Sequence, residues 1–477
     1  MRTTMTLTRT IAVRTLFSVL VLSLAACDLV DPSKVDNPSI TADNLLENPV
    51  GGTTSLVTGM RRYFSNTIGI SSLIGDMVSD NLDNRTSFYD NTLSYPRTIT
   101  GNSFTYNAMY ENALQLNALA DFGISSILPG DIFATNDQKA EVYFYKGMAL
   151  LILGEGFTNF PIAEKGPAVT AQRALQIAND QFQTAFNLTT QSAMKANCRM
   201  ARARTFRMLG DKVNAAAEAN AALALGGTSY LFAAQFDPAQ LTSTTYAAIV
   251  GRSTNDIQPL PRLDFLDPKY PTNGTQVPVL KSEEAYLILA EVALANGDLA
   301  GAKLNMKSAI TTARSRPTTT YNDKDTRPGH PNDPTFLVKS DANEPAIAGL
   351  IQKRGGASIV TVYSTSGTSV TTAMVDTLSS VYSHFRTLYL LRQEIFFLEG
   401  RRMIDLGIRL PVSQRQIDGN PNITPGSPGT TVVVPDYIPA SDEMRRFTTA
   451  GSTVTILWDM NKVLAANRSR VSPFSIQ

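Results

Sequence analysis

The chain has 477 residues, 43% of them apolar, and a formal net charge of +1 at pH 7. That is enough chain for a large core, as one extended domain or two, and near-neutral charge without a basic run argues against nucleic acid as the main partner. Only two histidines, His330 and His384, and two cysteines, Cys27 and Cys198, are present, so neither a Cys/His zinc site of the usual kind nor a disulfide scaffold is expected.

At the N-terminus, Arg2, Arg9 and Arg14 precede an apolar run from Leu16 to Leu24 that is too short to span a bilayer. Leu24-Ala25-Ala26-Cys27 follows and resembles the bacterial lipobox, in which the signal is cut before the cysteine and the thiol is acylated. Residues 1–26 are therefore expected to be a lipoprotein signal peptide, and Cys27 the lipidated residue. Residues 27–49, polar and carrying Pro32, Pro38 and Pro49, have the composition of a tether. No later stretch is apolar enough to cross a membrane.

The body is expected to occupy residues 50–477. A first helix is expected from Val50 to Phe64, and then a loop from Gly75 to Thr100 that is dense in Asp, Asn, Ser and aromatic residues. Phe104 to Phe122 has helical spacing through Met109, Ala113, Leu116 and Leu119. Gln138 to Leu153 is a further helix, with Val142, Tyr145, Ala149, Leu150 and Leu153 on one face, and Gly154 and Gly156 end it. The two glycines are not a dinucleotide fingerprint, because no strand precedes them and the third glycine is missing. Ala171 to Leu188 is the partner helix.

Two later segments share a pattern. In Met194 to Leu225, Leu209-Gly210-Asp211 separates two helices; in Ser282 to Arg314, Asn296-Gly297-Asp298 does the same. The glycine takes the left-handed backbone that ends one helix, and the aspartate caps the next. Ser282 is expected to cap the first helix of the second hairpin, with Glu283 and Glu284 in its first turn. A helix-Gly-Asp-helix unit used twice points to a tetratricopeptide-like array whose units bury their faces by stacking.

The stretches near 226–279, 315–375 and 411–477 are irregular, with short strands expected at Ser358–Tyr363 and Thr431–Val434. Tyr382 to Leu406 is expected to be one helix, laced by Glu399–Arg402, Arg401–Asp405 and Arg402–Asp405 pairs. Glu394 and Glu399 lie five apart and point in different directions, which fits salt-bridged structural roles rather than a catalytic carboxylate pair. Cys198 is expected to be a buried core residue and His330 an exposed loop residue.

The lipobox cysteine, the Gln138–Pro161 helix with its Gly-Phe-x-x-x-Pro exit, the Ala290-Glu291 helix and the Glu-x-x-x-x-Glu-Gly-x-Arg-x-x-Asp segment from Glu394 to Asp405 together resemble the SusD/RagB family of outer-membrane nutrient-binding lipoproteins. The resemblance implies a mainly α fold: about four tetratricopeptide-like helical pairs, near 104–225, 282–314 and 382–406, with an irregular, loop-rich ligand-binding half. It also implies a lipid anchor, an outward-facing place on the outer membrane, a TonB-dependent β-barrel transporter of the SusC kind as partner, no cofactor and no catalysis. The ligand would be a nutrient such as a glycan or oligosaccharide.

Sugar recognition needs aromatic faces for C–H groups and polar side chains for hydroxyls. The 75–100 loop offers both, in Asp80, Asn81, Asp83, Asn84, Arg85, Phe88 and Tyr89; Tyr270, Tyr321 and the single tryptophan, Trp458, are further candidates. Asp76, Asp80, Asp83 and Asn84 lack the register of a calcium loop, and no metal site is expected. A lipid-anchored secreted hydrolase and a helical-repeat scaffold of the envelope remain open as alternatives.

Overall fold

The computed structural model describes residues 50–84, 91–251, 257–441 and 443–476. The signal peptide, Cys27 and the tether lie outside the described residues, as do Arg85, Phe88 and Tyr89. Helices come in consecutive pairs: α1 (Gly52–Met77) with α2 (Phe104–Phe122), α3 (Asn136–Gly156) with α4 (Ala171–Leu188), α5 (Ser192–Met208) with α6 (Lys212–Gly226), and α7 (Ser282–Ala295) with α8 (Leu299–Ser315). Each pair also packs on the next, α2 against α3, α4 against α5 and α6 against α7. The fold is mainly α, and its apolar faces are buried by stacking, as the repeated pattern requires.

Local chemistry sets many of these boundaries. Gly210 and Gly297 take φ of 76° and 73°, and the Asp211 and Asp298 carboxylates accept from Asn214 N (3.0 Å) and Gly301 N (2.8 Å). Small residues then let the paired helices approach: Ala201, Ala215, Ala219 and Ala222 are buried in one hairpin, and Ala285, Ala302 and Ala309 in the other. Cys198 is buried, as expected. Ser282 does not cap α7; it is the first helical residue, and its hydroxyl donates to Thr228 O at 2.6 Å.

Helix α3 begins at a capping box, with Gln138 N donating to Thr135 Oγ1 (3.2 Å) and Thr135 N to Gln138 Oε1 (2.9 Å). It runs through Gly154 and Gly156 rather than stopping there. The reason is packing: a Cβ at Gly154 would sit 2.8 Å from Leu175, and one at Gly147 2.5 Å from Phe182. These glycines let α4 lie close.

The expected single helix at 382–406 is two. Helix α9 (Val381–Ile395) packs on α7 and α8, and a separate turn, α10 (Arg402–Asp405), follows a break in which Leu398 and Gly400 have φ of 55° and 72°. The expected ion pairs along it are replaced by long-range ones. Asp405 accepts from Arg392 Nε (2.8 Å) and Nη2 (2.9 Å), and Arg207 joins Asp405 (3.3 Å) to Glu291 (2.6 Å). This buried network ties α5, α7, α9 and α10 together. Glu399 instead takes both Lys269 and Lys281, each 2.6 Å from Oε1.

The irregular half carries small sheets: β1 (Leu82–Asn84) with β5 (Ile257–Pro259), β4 (Leu231–Ala234) with β6 (Val277–Lys281), β7 (Thr319–Asn322) with β9 (Ile359–Val362), and a three-stranded β10-β11-β8 sheet of Phe447–Ala450, Thr453–Ile456 and Leu337–Lys339. A two-stranded hairpin of β2 (Asn159–Pro161) and β3 (Ala168–Thr170) leads into α4. The strand expected at Thr431–Val434 is a single bridge between Val433 and Arg409. A further helix, α11 (Met460–Ala466), packs on α9.

Helix α1 extends beyond its expected end to Met77, taking Gly75 and Asp76 out of the loop. Asp76 is fully buried and accepts from Leu398 N; burial pushes its carboxyl up to about 8, against the pull of that amide and of Lys269. The folded state therefore keeps a proton that the unfolded chain releases. Stability from this group is full below the ordinary carboxylate value of 3.8 and is lost as pH rises through about 8. Asp76→Asn is expected to flatten that decline and to stabilise the protein at pH 8 by an amount on the order of a few kcal/mol. Thermal unfolding of both proteins across the pH range measures it, and parallel profiles would refute the assignment.

Candidate functional site

The polar loop after α1 turns inward. The Asp80 carboxylate accepts from Arg402 Nε (2.5 Å), Arg402 Nη2 (2.8 Å) and Gln393 Nε2 (3.0 Å), and is buried. Asn81 is buried as well, its Oδ1 accepting from the same Gln393 amide at 3.0 Å and its backbone O from Leu260 N at 3.0 Å. Asn84 is buried in β1, opposite Ile257. Asp80 and Asn81 thus hold the chain to α9 and α10, and the Asp80 carboxylate and the Asn81 oxygens are already committed to the protein. Asp83 alone of the four keeps a partly exposed side chain, 3.6 Å from His330 Nε2. His330 is buried rather than exposed, with its ring edge-on to Phe447 at 5.0 Å.

Tyr270 is not a platform. It is 1% exposed and its hydroxyl donates to Leu398 O at 3.0 Å, which helps to hold the break after α9. Tyr321 is half-buried on β7, and the neighbouring Asp323 is committed to Arg327 (3.1 Å) and Arg354 (2.8 Å). Trp458 is different: 41% of it is exposed, at the end of the β10-β11 hairpin.

Trp458 and Asp80, almost four hundred residues apart in sequence, line one niche together with Arg262, Ser340, Gln393, Asp459 and Asn461. The niche is small, about 10 Å³, room for one water molecule. The polar groups are held firmly: Asn461 Nδ2 donates to Gln393 Oε1 (2.7 Å), Asn461 Oδ1 accepts from Arg402 (3.0 Å), and Asp459 accepts from Arg386 (3.1 Å) while capping α11. A second exposed ring lies on the same loop. Tyr95 is 49% exposed and 6.0 Å from the Arg445 guanidinium, and the adjacent Arg446 O accepts from Leu457 N, next to Trp458.

A larger cleft, about 860 Å³, lies elsewhere, between α1, α3 and β4. Its aromatic residues are spent on one another, with Phe64 5.0 Å from Tyr145 and 5.7 Å from Phe232. Its main charges are also paired, Arg61 Nε and Nη2 donating to the two Glu141 oxygens (2.8 and 2.6 Å). Size alone favours this cleft. Unmet chemistry favours the Trp458 niche. Glu394, once considered with Glu399, accepts from Thr368 Oγ1 (2.7 Å), Ser369 Oγ (2.6 Å) and Ser369 N (2.8 Å) and is structural.

Sequence reasoning placed Trp458 and Asp80 but missed Arg262, Gln393 and Asn461. Arg262 stands in an irregular proline-containing stretch, and Gln393 and Asn461 sit on helices as ordinary polar residues; no spacing marks them. Among the described residues no helix is long and apolar enough to cross a membrane.

No protein-family model matches the sequence, and no curated protein matches it. Solved structures do match the fold. One, from Bacteroides vulgatus and provisionally described as a sugar-binding protein, is 14% identical, with 79% of this chain and 98% of that chain covered at a TM-score of 0.54. A SusD-superfamily protein from the same species is 13% identical over 80% of this chain and all (100%) of its own, also at 0.54. A third, a SusD-superfamily protein from Parabacteroides distasonis, is 8% identical over 78% and 98% at 0.53. At such identities the likeness is one of fold: the chain has the fold of SusD-superfamily proteins.

Proposed function

We propose that this protein is a non-catalytic, lipid-anchored glycan-binding protein that captures oligosaccharide outside the cell and passes it to a TonB-dependent barrel transporter. The observation that carries the reading is Trp458, a partly exposed ring that lines a niche of fixed polar groups, in a fold shared with a protein described as sugar-binding. An aromatic ring packs against the C–H face of a sugar, while fixed donors and acceptors take its hydroxyls. Arg85, Phe88 and Tyr89, which follow β1 in sequence, are also retained as proposed contacts. The lipobox-like Leu24–Cys27 segment supports the anchor.

Full-length protein in detergent, screened against an oligosaccharide array and then titrated, tests this reading. Trp458→Ala is expected to weaken binding of the best oligosaccharide about tenfold, or ~1.4 kcal/mol, with no change in thermal stability. Appearance of new reducing ends would favour the hydrolase instead. Recovery of a large β-barrel with the native protein from solubilised membranes tests the transporter partnership.

A further inference from the structure

Two segments meet where the chain enters α1, and neither presents a charge to solvent. Val50 to Met60 contains no charged residue, and Phe122 to Asn136, which joins α2 to α3, contains one, Asp131. That carboxylate is turned inward: Asp131 is buried and accepts from Gly51 N (3.0 Å), Thr53 N (3.0 Å) and Phe133 N (3.1 Å). The charges that flank the two segments are engaged, Arg61 with Glu141, Asp121 with Lys146, and Asp137 with Thr189 and Thr190.

Out of this uncharged end stand Ile132 and Phe133, 80% and 70% exposed, and Val50, 47% exposed, precedes the Gly51 amide that Asp131 holds. No other adjacent pair of large apolar side chains among the described residues is as open. The turn that carries them is fixed. Gly130 N and Asp131 N both donate to Ile127 O (3.2 and 3.0 Å), Ala134 N donates to Asp131 O (3.1 Å), and Gln138 Nε2 ties α3 to α1 through Thr54 Oγ1 (2.9 Å). Holding two such side chains in water is unfavourable. The backbone beneath them has most of its amides already satisfied within the protein, which is what a medium poor in water demands.

We infer that this turn is a membrane-inserting wedge, with Ile132 and Phe133 entering the boundary between headgroups and acyl chains of a lipid surface and so orienting the body above it. The inference rests on the lipid-anchor reading above and adds a second membrane contact to it. Residues 27–49 join the lipobox cysteine directly to Val50, which makes this the end of the body that is tethered to lipid. A protein partner fits less well. A specific protein–protein contact buries about 800 Å² on each side, whereas the wedge is two side chains on a convex turn.

The test uses the acylated protein reconstituted into vesicles of phosphatidylethanolamine and phosphatidylglycerol. Phe133→Cys is labelled with the environment-sensitive fluorophore NBD; Cys198 is buried, and acylation blocks Cys27. Emission from position 133 is expected to shift to the blue and to be quenched by spin-labelled lipid. The same label on Leu304→Cys, at a 67% exposed position on α8, is expected to stay in water. Adding Ile132→Asp to the Phe133→Cys protein is expected to abolish both effects at an unchanged melting temperature, because neither side chain belongs to the core. Mass spectrometry of the N-terminal peptide reports the acyl group independently. Acylated protein whose label at position 133 stays in water overturns the wedge and leaves the anchor standing, whereas protein that lacks the acyl group and leaves the vesicles takes down both. A blue-shifted label that spin-labelled lipid does not quench lies against a second copy of this chain. A photo-crosslinker at position 133 that captures a protein in native membranes shows a protein partner. Either of these results overturns the lipid assignment.

Discussion

Replacing Asp80 by alanine is expected to unfold a large share of the molecule's stability, about 3–5 kcal/mol, because it leaves the Arg402 guanidinium buried without its carboxylate. Arg402 is 1% exposed, and Asp80 takes both its Nε and its Nη2. Among the described residues the other polar contact of that guanidinium is Asn461 Oδ1 at 3.0 Å, which cannot replace a charge. Gln393 Nε2 would lose an acceptor as well, keeping Asn81 Oδ1. Removing both charges, in the double variant Asp80→Ala with Arg402→Met, is expected to recover most of the loss, since the penalty comes from the orphaned cation rather than from the missing attraction. Urea unfolding of the two single variants and the double variant measures this. The competing expectation, that Asp80 meets ligand directly, predicts a stable Asp80→Ala protein with weakened glycan binding, and that result would remove Asp80 from the scaffold.

This case shows what was legible in the sequence. A run of Asp, Asn and Ser beside aromatic residues has the same composition whether its side chains meet solvent or a buried arginine from three hundred residues away. Nothing local separates Asp80 turned toward Arg402 from Asp80 turned toward a sugar. The hairpins were legible for the opposite reason. Gly210 and Gly297 relieve their own backbone, and Asp211 and Asp298 cap within three residues, so the causes lie inside the window being read. Helix α4 ends where its apolar periodicity ends. Helix α1 outruns its pattern because its last turn is held from afar: a Cβ on Gly75 would sit 2.7 Å from Gly400 Cα, and Asp76 receives the Leu398 amide. Trp458 could be picked out because it is the chain's single tryptophan; Arg262 could not, since it stands in an irregular stretch and meets Glu394, 132 residues on, only in the folded chain.

The break after α9 leads to the second large effect. Glu394 to Asp405 has helical composition and helical charge spacing, yet the chain leaves the helix at Phe396 and places Glu399 between two buried ammonium groups. Lys269 and Lys281 are 2% and 1% exposed, and both donate to the same Glu399 oxygen. Two desolvated cations on one carboxylate outweigh the few tenths of a kcal/mol that each i,i+3 or i,i+4 pair along a continuous helix would contribute, about 0.2–0.5 kcal/mol. Glu399→Gln is therefore expected to cost about 3–5 kcal/mol near pH 6. The cost should shrink in alkali. Burial already pushes the Lys269 ammonium down to about 8, with Glu399 the main group opposing that fall. Without the carboxylate its folded value drops further, while the unfolded chain keeps the ordinary 10.5. A lysine depressed in the folded state loses stability as pH falls and regains it as pH rises toward its unfolded value. In Glu399→Gln the depression is larger, so the gap to wild type should be widest at acidic pH and narrow through pH 8 and above. Denaturant unfolding of both proteins from pH 6 to pH 9.5 measures that gap, and a difference independent of pH would show that Lys269 does not depend on Glu399 for its charge.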